Sequence, residues 1–200
     1  DVCEIYTDVD GVFTADPRIV STARRIRQLS TEEMLEMAAN GAKILHLRCV
    51  EYARRYGIPI HVRSSFSQKD GTLITDQPYE DEEGEVMEAP LISGVAHDRS
   101  EAKITVVGVP DQPGFAARIF AIVAEAEANI DMIVQNVSAV ETGRTDISFT
   151  LPISDGEKVV KALDRDRKDL GFEQLIYDDH VGKLSLVGAG MRTNPGVSAK

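Results

Sequence analysis

A short pattern occurs twice in this chain and constrains its architecture more than any other feature. Lys103-Ile-Thr-Val-Val-Gly108 returns as Lys183-Leu-Ser-Leu-Val-Gly188, 80 residues later, and Pro113-Gly114-Phe-Ala-Ala-Arg118 returns as Pro195-Gly196-Val-Ser-Ala-Lys200, 82 residues later. Two matching blocks with a loop-sized slip between them predict a structural unit that is completed once and then begun again. Within the first copy, the β-branched run 102–109 predicts a strand and Asp111-Gln112-Pro113-Gly114 a turn. A helix over 115–128 follows, with Ile119, Ile122, Val123 and Ala126 on one side. Ile130, Met132 and Val134 alternate with polar neighbours, as do Ile147, Phe149 and Leu151, which predicts two half-buried strands. A Gly-containing hairpin loop at 141–144 joins them. Ser154 with Glu157 reads as a capping box that opens a helix through Leu163 towards Leu170. A last strand spans 173–177. The order βαββαβ is that of a ferredoxin-like α+β unit.

Ahead of this unit the chain alternates strand and helix. Residues 2–7 read as a strand running into the polar loop 8–18. Ser30 and Glu33 form a capping box for a helix that carries Met34, Leu35 and Ala38 and stops near Gly41. A second helix is expected over 42–56, ending at Gly57, and a strand over 58–62. Such alternation belongs to an α/β sheet. Between the two regions, residues 79–88 (YEDEEGEVME) hold six acidic residues. A run like that repels itself and stays solvated, so it reads as a tether, with an acidic docking segment as the alternative. The resulting division is 1–76, a linker over 77–92, a first ferredoxin-like unit over 93–179, and the start of a second over 180–200.

The net charge of −11 argues against general binding to nucleic acid or to anionic lipid. No apolar run approaches the ~20 residues of a membrane span, and the first residues lack a signal-peptide core. Cys3 and Cys49 have no metal-ligand or framework spacing and are expected as small buried apolar residues in a reducing compartment. No metal site of the protein's own is expected. The chain opens at Asp1 in mid-strand and stops at Lys200 within the second repeat, and so reads as a piece of a longer polypeptide.

Each repeat places a strand, a Pro-Gly turn and a helix in succession. The first amides of that helix have no intrahelical partner, and its dipole makes the end partially positive, which suits a carboxylate. Asp111, two residues before Pro113, could hold an ammonium. Asn129 and Asp131 flank the next strand, where a partner's edge could bring them near the same pocket. Carboxylate and ammonium together describe an α-amino acid. Ordinary turn chemistry remains the alternative for either Pro-Gly alone.

The loop Thr7-Asp8-Val9-Asp10-Gly11-Val12 after an apolar strand resembles the first motif of haloacid-dehalogenase phosphatases, and Asp178-Asp179 imitates their last. Asp178-Asp179, however, belongs to a different expected unit. The longer string is more specific. TDVDGVFTADPRIV at 7–20, STEEMLE at 30–36, GAKILH at 41–46, IPIHVRSSF at 58–66 and GTLI at 71–74 together resemble aspartokinase. The resemblance continues through Gly94-Val95-Ala96, Gln135-Asn136-Val137-Ser138 and Val181-Gly182-Lys183. It implies the C-terminal part of an amino-acid-kinase fold followed by ACT domains.

The resemblance implies an enzyme that uses ATP with Mg2+ to phosphorylate the side-chain carboxylate of L-aspartate, at the head of lysine, threonine and methionine biosynthesis. It implies ATP-site roles for Thr7, Asp8, Phe13, Thr14, Ala15, Asp16, Pro17 and Arg18, with Lys43 and Ile44 from the later helix start. Arg18 and Lys43 would neutralise phosphate charge, and Phe13 would face the base or pack beneath it. Asp111, Pro113, Gly114, Asn129, Ile130, Asp131 and Gln135 would serve a lysine and/or threonine effector, as would Asn194, Pro195 and Gly196 of the second copy. A cytoplasmic homo- or hetero-oligomer joined through ACT units is implied. The family's N-terminal Lys-Gly-Gly motif and aspartate-binding half are absent, so no complete catalytic centre is expected here. Leu47 and Cys49 replace an expected Pro and small residue. The alternative is a non-catalytic amino-acid-sensing subunit, for which Met87 would be an internal start.

Overall fold

The computed structural model describes residues 1–78, 92–136 and 142–188. The acidic run 79–88 with Met87, Val137-Ser138, and the second-copy turn Asn194, Pro195 and Gly196 lie outside the described residues. The chain divides into two compact units, one of residues 1–98 together with the chain from 184, the other of Arg99–Lys183.

Unit 1 begins with β1 (Cys3–Thr7), followed after a long loop by β2 (Gln28–Leu29). Ser30 then starts α1 (Thr31–Ala39) through the expected capping box: its Oγ accepts from Glu33 N–H at 3.2 Å, and Glu33 Oε2 accepts from Ser30 N–H at 3.0 Å. Gly41, at φ +106°, turns the chain where only glycine is at ease. The second helix, α2 (Leu47–Tyr56), starts five residues later than expected. His46 caps it, its Nδ1 accepting from Arg48 N–H at 3.3 Å, so 42–45 form a turn that buries Leu45. Gly57 ends it in the left-handed conformation, as expected.

After α2 come β3 (Ile60–Ser64), two residues beyond its expected start, and β4 (Thr72–Ile74). The sheet order is β1-β3-β4-β2, with β1 parallel to β3, from Cys3 opposite Ile60 to Thr7 opposite Ser64. Met34, Met37, Val50, Ile60, Val62 and Ile74 form the core. Two further strands, β5 (Gly94–Asp98) here and a later one, make a separate two-stranded sheet. The segment 93–98, expected to open the first ferredoxin-like unit, therefore groups with unit 1. Cys3 is exposed rather than buried, because β1 is an edge strand; Cys49 is half-buried, and both are free thiols.

Unit 2 contains β6 (Glu101–Pro110), α3 (Phe115–Glu125), β7 (Ile133–Gln135), β8 (Arg144–Pro152), α4 (Ile153–Arg165), α5 (Arg167–Leu170) and β9 (Gln174–Asp178). Its antiparallel sheet runs β7-β8-β6-β9, the ferredoxin-like order expected. Ile104, Val106, Ile119, Val123, Ile147, Phe149, Leu151, Val159 and Leu163 fill the core, with Phe120 set edge-on to Phe149 at 5.7 Å. The Ser154–Glu157 capping box does not form. The helix starts two residues earlier, at Ile153, whose N–H donates to Ser100 O at 2.9 Å, and Glu157 instead pairs with Lys161. β7 is shorter than expected and wholly exposed, since it is the outer strand of the sheet. Met132 and Val134 are therefore open to solvent. The second copy's strand, β10 (Lys183–Val187), pairs with β5 rather than with this sheet.

Thr72 is fully buried in unit 1, where its hydroxyl donates to Ile26 O at 2.6 Å and accepts from Val12 N–H at 2.8 Å. Replacing Thr72 by Val keeps the shape but strands the Val12 amide, at a cost of about 1–3 kcal/mol. Urea unfolding should show Thr72→Val clearly less stable than Thr72→Ser, which keeps the hydroxyl. Equal stabilities would contradict this role.

Candidate functional sites

The first site lies where the parallel strands β1 and β3 end. Ligands of open α/β sheets bind outside the carboxyl ends of parallel strands. Here those ends are Thr7-Asp8 and Ser64-Ser65, stitched together by Ser65 N–H donating to Thr7 O at 2.8 Å. Thr7 Oγ1 donates to Asp8 Oδ1 at 3.1 Å. The chain then passes Gly11, whose φ is +128° and where a Cβ would meet Thr72 Oγ1 at 2.5 Å. Val12 is buried beyond it, and Phe13 is half-buried and bridged through its backbone to Arg25. Thr14 anchors the loop: its N–H donates to Arg24 O at 2.8 Å, and its O accepts from Val95 N–H at 2.8 Å.

At the loop's tip Asp16 grips Arg18. Arg18 Nε donates to Oδ1 at 3.0 Å, Nη2 to Oδ2 at 2.7 Å, and the Arg18 backbone N–H to Oδ1 at 2.9 Å. These side-chain and backbone hydrogen bonds from Arg18 hold the Asp16 carboxyl at about 2, below the usual 3.8. The Arg18 guanidinium is raised in turn, chiefly by Asp16 and with a smaller contribution from Asp8. Ala15 and Pro17 complete the loop. Lys43 does not join this group: it is exposed in the turn before α2, and among the described residues it makes no hydrogen bond or ion pair with 7–18. Ile44 packs against the core.

The β3 loop was not assigned a role from sequence, yet it forms the other wall. Ser67 Oγ donates to Asp10 Oδ1 at 2.6 Å and Lys69 Nζ to Asp10 Oδ2 at 2.6 Å. Lys69, then Ser67, lower the Asp10 carboxyl below its usual range. Only the proximity of parallel strand ends could have pointed to this loop.

The second site lies on unit 2. A cavity of about 340 Å³ gathers Asp111, Pro113, Gly114 and Gln135 with Val109, Gln112, Phe115, Thr145 and Ile147. A bulge in β6 immediately precedes Val109, the first of the lining residues. Register slips between Val106 and Val109, Gly108 sits at φ +69°, and its N–H donates to Asp146 Oδ1 at 2.9 Å. Such bulges re-aim the end of a strand. Gly114, at φ +95°, begins α3, and no side chain caps that helix. Phe115 N–H is taken by Gln112 O at 3.4 Å, and the amides of Ala116 and Ala117 with the partial positive charge of the helix end would face an anion beside the Asp111 carboxylate. Thr145 and Ile147, from β8, were not foreseen because strand register brings them here.

Asn129, Ile130 and Asp131 are not part of this cavity within one chain. They lie towards the other end of β7: Asp131 N–H donates to Thr150 O at 3.0 Å and its carboxylate pairs with Lys183, while Ile130 packs on the core. The two halves of the phosphatase-like pattern also part company, Asp8 and Asp10 in unit 1 and Asp178-Asp179 in unit 2. No helix among the described residues is long and apolar enough to cross a membrane.

Residues 1–64 match the amino acid kinase family and residues 104–166 an ACT domain. Across its whole length the chain is 60% identical to the aspartokinase of Mycolicibacterium smegmatis, and it spans about half (46%) of that relative. Escherichia coli aspartokinase III, solved with aspartate and ADP in an R-state, matches at 27% identity and a TM-score of 0.75, over 98% of this chain and 42% of that one. The same enzyme solved with lysine and aspartate in a T-state gives a TM-score of 0.67 at 27% identity, over 94% and 39%. The regulatory subunit of aspartate kinase from Thermus thermophilus is 35% identical with a TM-score of 0.51, over 56% of this chain and 72% of that one.

Because its pKa is depressed, Asp16 stabilises the loop fully above the usual carboxylate range and loses that contribution as pH falls from 3.8 through about 2. In an NMR titration the Asp16 carboxyl should move up towards 3.8 in Arg18→Ala. An unmoved titration would show that Arg18 does not hold it.

Proposed function

We propose that this chain, which belongs to the aspartokinase family, is the nucleotide-side part of an aspartate kinase together with the amino-acid-sensing unit that regulates it. The activity is ATP-dependent phosphorylation of the L-aspartate side-chain carboxylate, in the cytoplasm, at the head of lysine, threonine and methionine biosynthesis. The observation that carries the reading is the pair of loops that leave the parallel ends of β1 and β3 together, tied by Ser65 to Thr7 and by Ser67 and Lys69 to Asp10, with Asp16 orienting Arg18 on the first of them.

The chemistry follows from donor counting. A guanidinium has five N–H donors in a fixed fork. Asp16 engages Nε and Nη2, so Arg18 is oriented and still has N–H groups to offer a phosphate. Phosphoryl transfer is mostly positioning and charge neutralisation, and a pre-oriented guanidinium supplies both. Asp8 is an exposed carboxylate at the strand end, whereas Asp10 and Asp16 are each engaged by a cation. It fits the one or two carboxylates by which Mg2+ is usually held beside phosphates, and the ion would there neutralise phosphate charge. Lys43 would reach the nucleotide only from its own turn.

The effector, lysine and/or threonine, would rest its carboxylate on the start of α3 and its ammonium on Asp111, with Gln135 and Thr145 at its side. Asn129, Ile130 and Asp131 would contribute from a second unit docked on the exposed edge strand β7. There Ile133 and Val134 are 53% and 46% exposed, and an unpaired edge is a template for another strand. The turn Asn194, Pro195 and Gly196 would repeat the site. Inhibition then needs only differential affinity for two arrangements of the paired units; about 1–3 kcal/mol of coupling shifts apparent affinity roughly 5- to 150-fold. A second reading, a non-catalytic sensing subunit, draws on the likeness to the Thermus regulatory subunit but leaves the Arg18 loop without work.

In the intact protein Asp111→Ala should raise the lysine or threonine concentration needed for half-inhibition at least about fivefold and leave uninhibited turnover unchanged. An unaltered inhibition curve would remove the effector site from this cavity. Absence of aspartyl phosphate from the intact protein, assayed with ATP and aspartate, would favour the sensing subunit.

A further inference from the structure

Phe66 is a large apolar side chain with 83% of its surface open. Its loop is nevertheless tied down on both sides. Ser65 N–H donates to Thr7 O at 2.8 Å, Phe66 N–H to Ser64 Oγ at 3.1 Å, and Ser67 and Lys69 both bond Asp10. His61 adds a 2.5 Å contact to Asp70 O at the loop's far end. An aromatic ring presented on an ordered loop offers a flat apolar face against which another ring can stack.

Its place suggests which ring. The loop leaves the carboxyl end of β3, parallel neighbour of β1, and its ties run to Thr7 and Asp10, on either side of Asp8. Phe13, the aromatic that the sequence offers for the base, is half-buried with its backbone bridged to Arg25, and so presents less open face. Phe66 presents most of a ring at the strand ends.

We propose that Phe66 is a base-binding residue, supplying the aromatic face on which the nucleobase of the phosphoryl donor stacks. The inference rests on the nucleotide reading above. Stacking tolerates any base, because every base has a π-face. Phe66 therefore contributes affinity for the nucleoside end and none for the phosphates, which fall to Arg18.

Calorimetry on the intact protein with two probes, ADP and inorganic tripolyphosphate, separates these contributions. Phe66→Ala should weaken ADP binding roughly 5- to 150-fold, as loss of one base–aromatic stack does, and leave tripolyphosphate binding as in wild type. Phe66→Trp should bind ADP at least as well as wild type, and Arg18→Ala should weaken both probes. If Arg18→Ala weakens ADP and Phe66→Ala does not, the base-stacking role is overturned while the nucleotide site stands. Equal weakening of ADP and tripolyphosphate by Phe66→Ala would also overturn it, since the loop would then act through the phosphates. If neither variant changes ADP binding, the nucleotide reading itself falls.

Discussion

The parallel pairing of β1 with β3 is the constraint on which the first unit depends. It sets Thr7 beside Ser64, so two loops far apart in sequence leave the sheet at the same place. Apart from Lys43, the groups proposed to touch a nucleotide hang from those two loops: Asp8 and the Asp16–Arg18 pair on one side, Phe66 on the other. Asp10 locks them together, taking Ser67 and Lys69 at 2.6 Å each. Buried Thr72 then fixes the floor by satisfying Val12 and Ile26. The crevice is thus held by a few polar ties on an apolar base, an arrangement that pre-orients charged groups before any ligand arrives.

The second unit solves a different problem with a single kinked strand. β6 lies inside its sheet, paired on both sides, and must still end at an open cavity. The bulge at Gly108 breaks register just before Val109 and Pro110, which line the cavity with the Asp111 turn. An uncapped helix start and one carboxylate then face the same space. Regulation by a small zwitterion requires little more, provided that the exposed β7 edge finds a partner.

Much of this was legible because local chemistry and tertiary demand agree. Ser30 and Glu33 cap α1 in the structure as in the sequence, Gly57 ends α2, and alternation in β8 marks Ile147, Phe149 and Leu151 as core. The misses arise where a distant group took over. His46 caps α2 after a turn that periodicity alone cannot separate from helix. The backbone of Ser100 accepts from Ile153 and displaces the Ser154 box. β7 alternates like a half-buried strand yet stands at an edge, a fact that lives in sheet order. The Ser64–Lys69 wall and the place of Thr145 and Ile147 at the cavity were invisible for the same reason, since register and strand adjacency are not written in any local window. Asn129, Ile130 and Asp131 lie apart from the cavity in one chain, so their part depends on a second unit.

The central claim is that strand ends in the first unit hold a nucleotide while the turn-and-helix cavity of the second holds an amino acid. Hydrogen–deuterium exchange on the intact protein, with ADP and with lysine or threonine added separately, tests it most directly. The account predicts that ADP slows exchange in residues 7–18 and 64–69, and that the amino acid slows it around 109–116 and Gln135. ADP protecting neither 7–18 nor 64–69, or the amino acid leaving 109–116 unprotected, would contradict it.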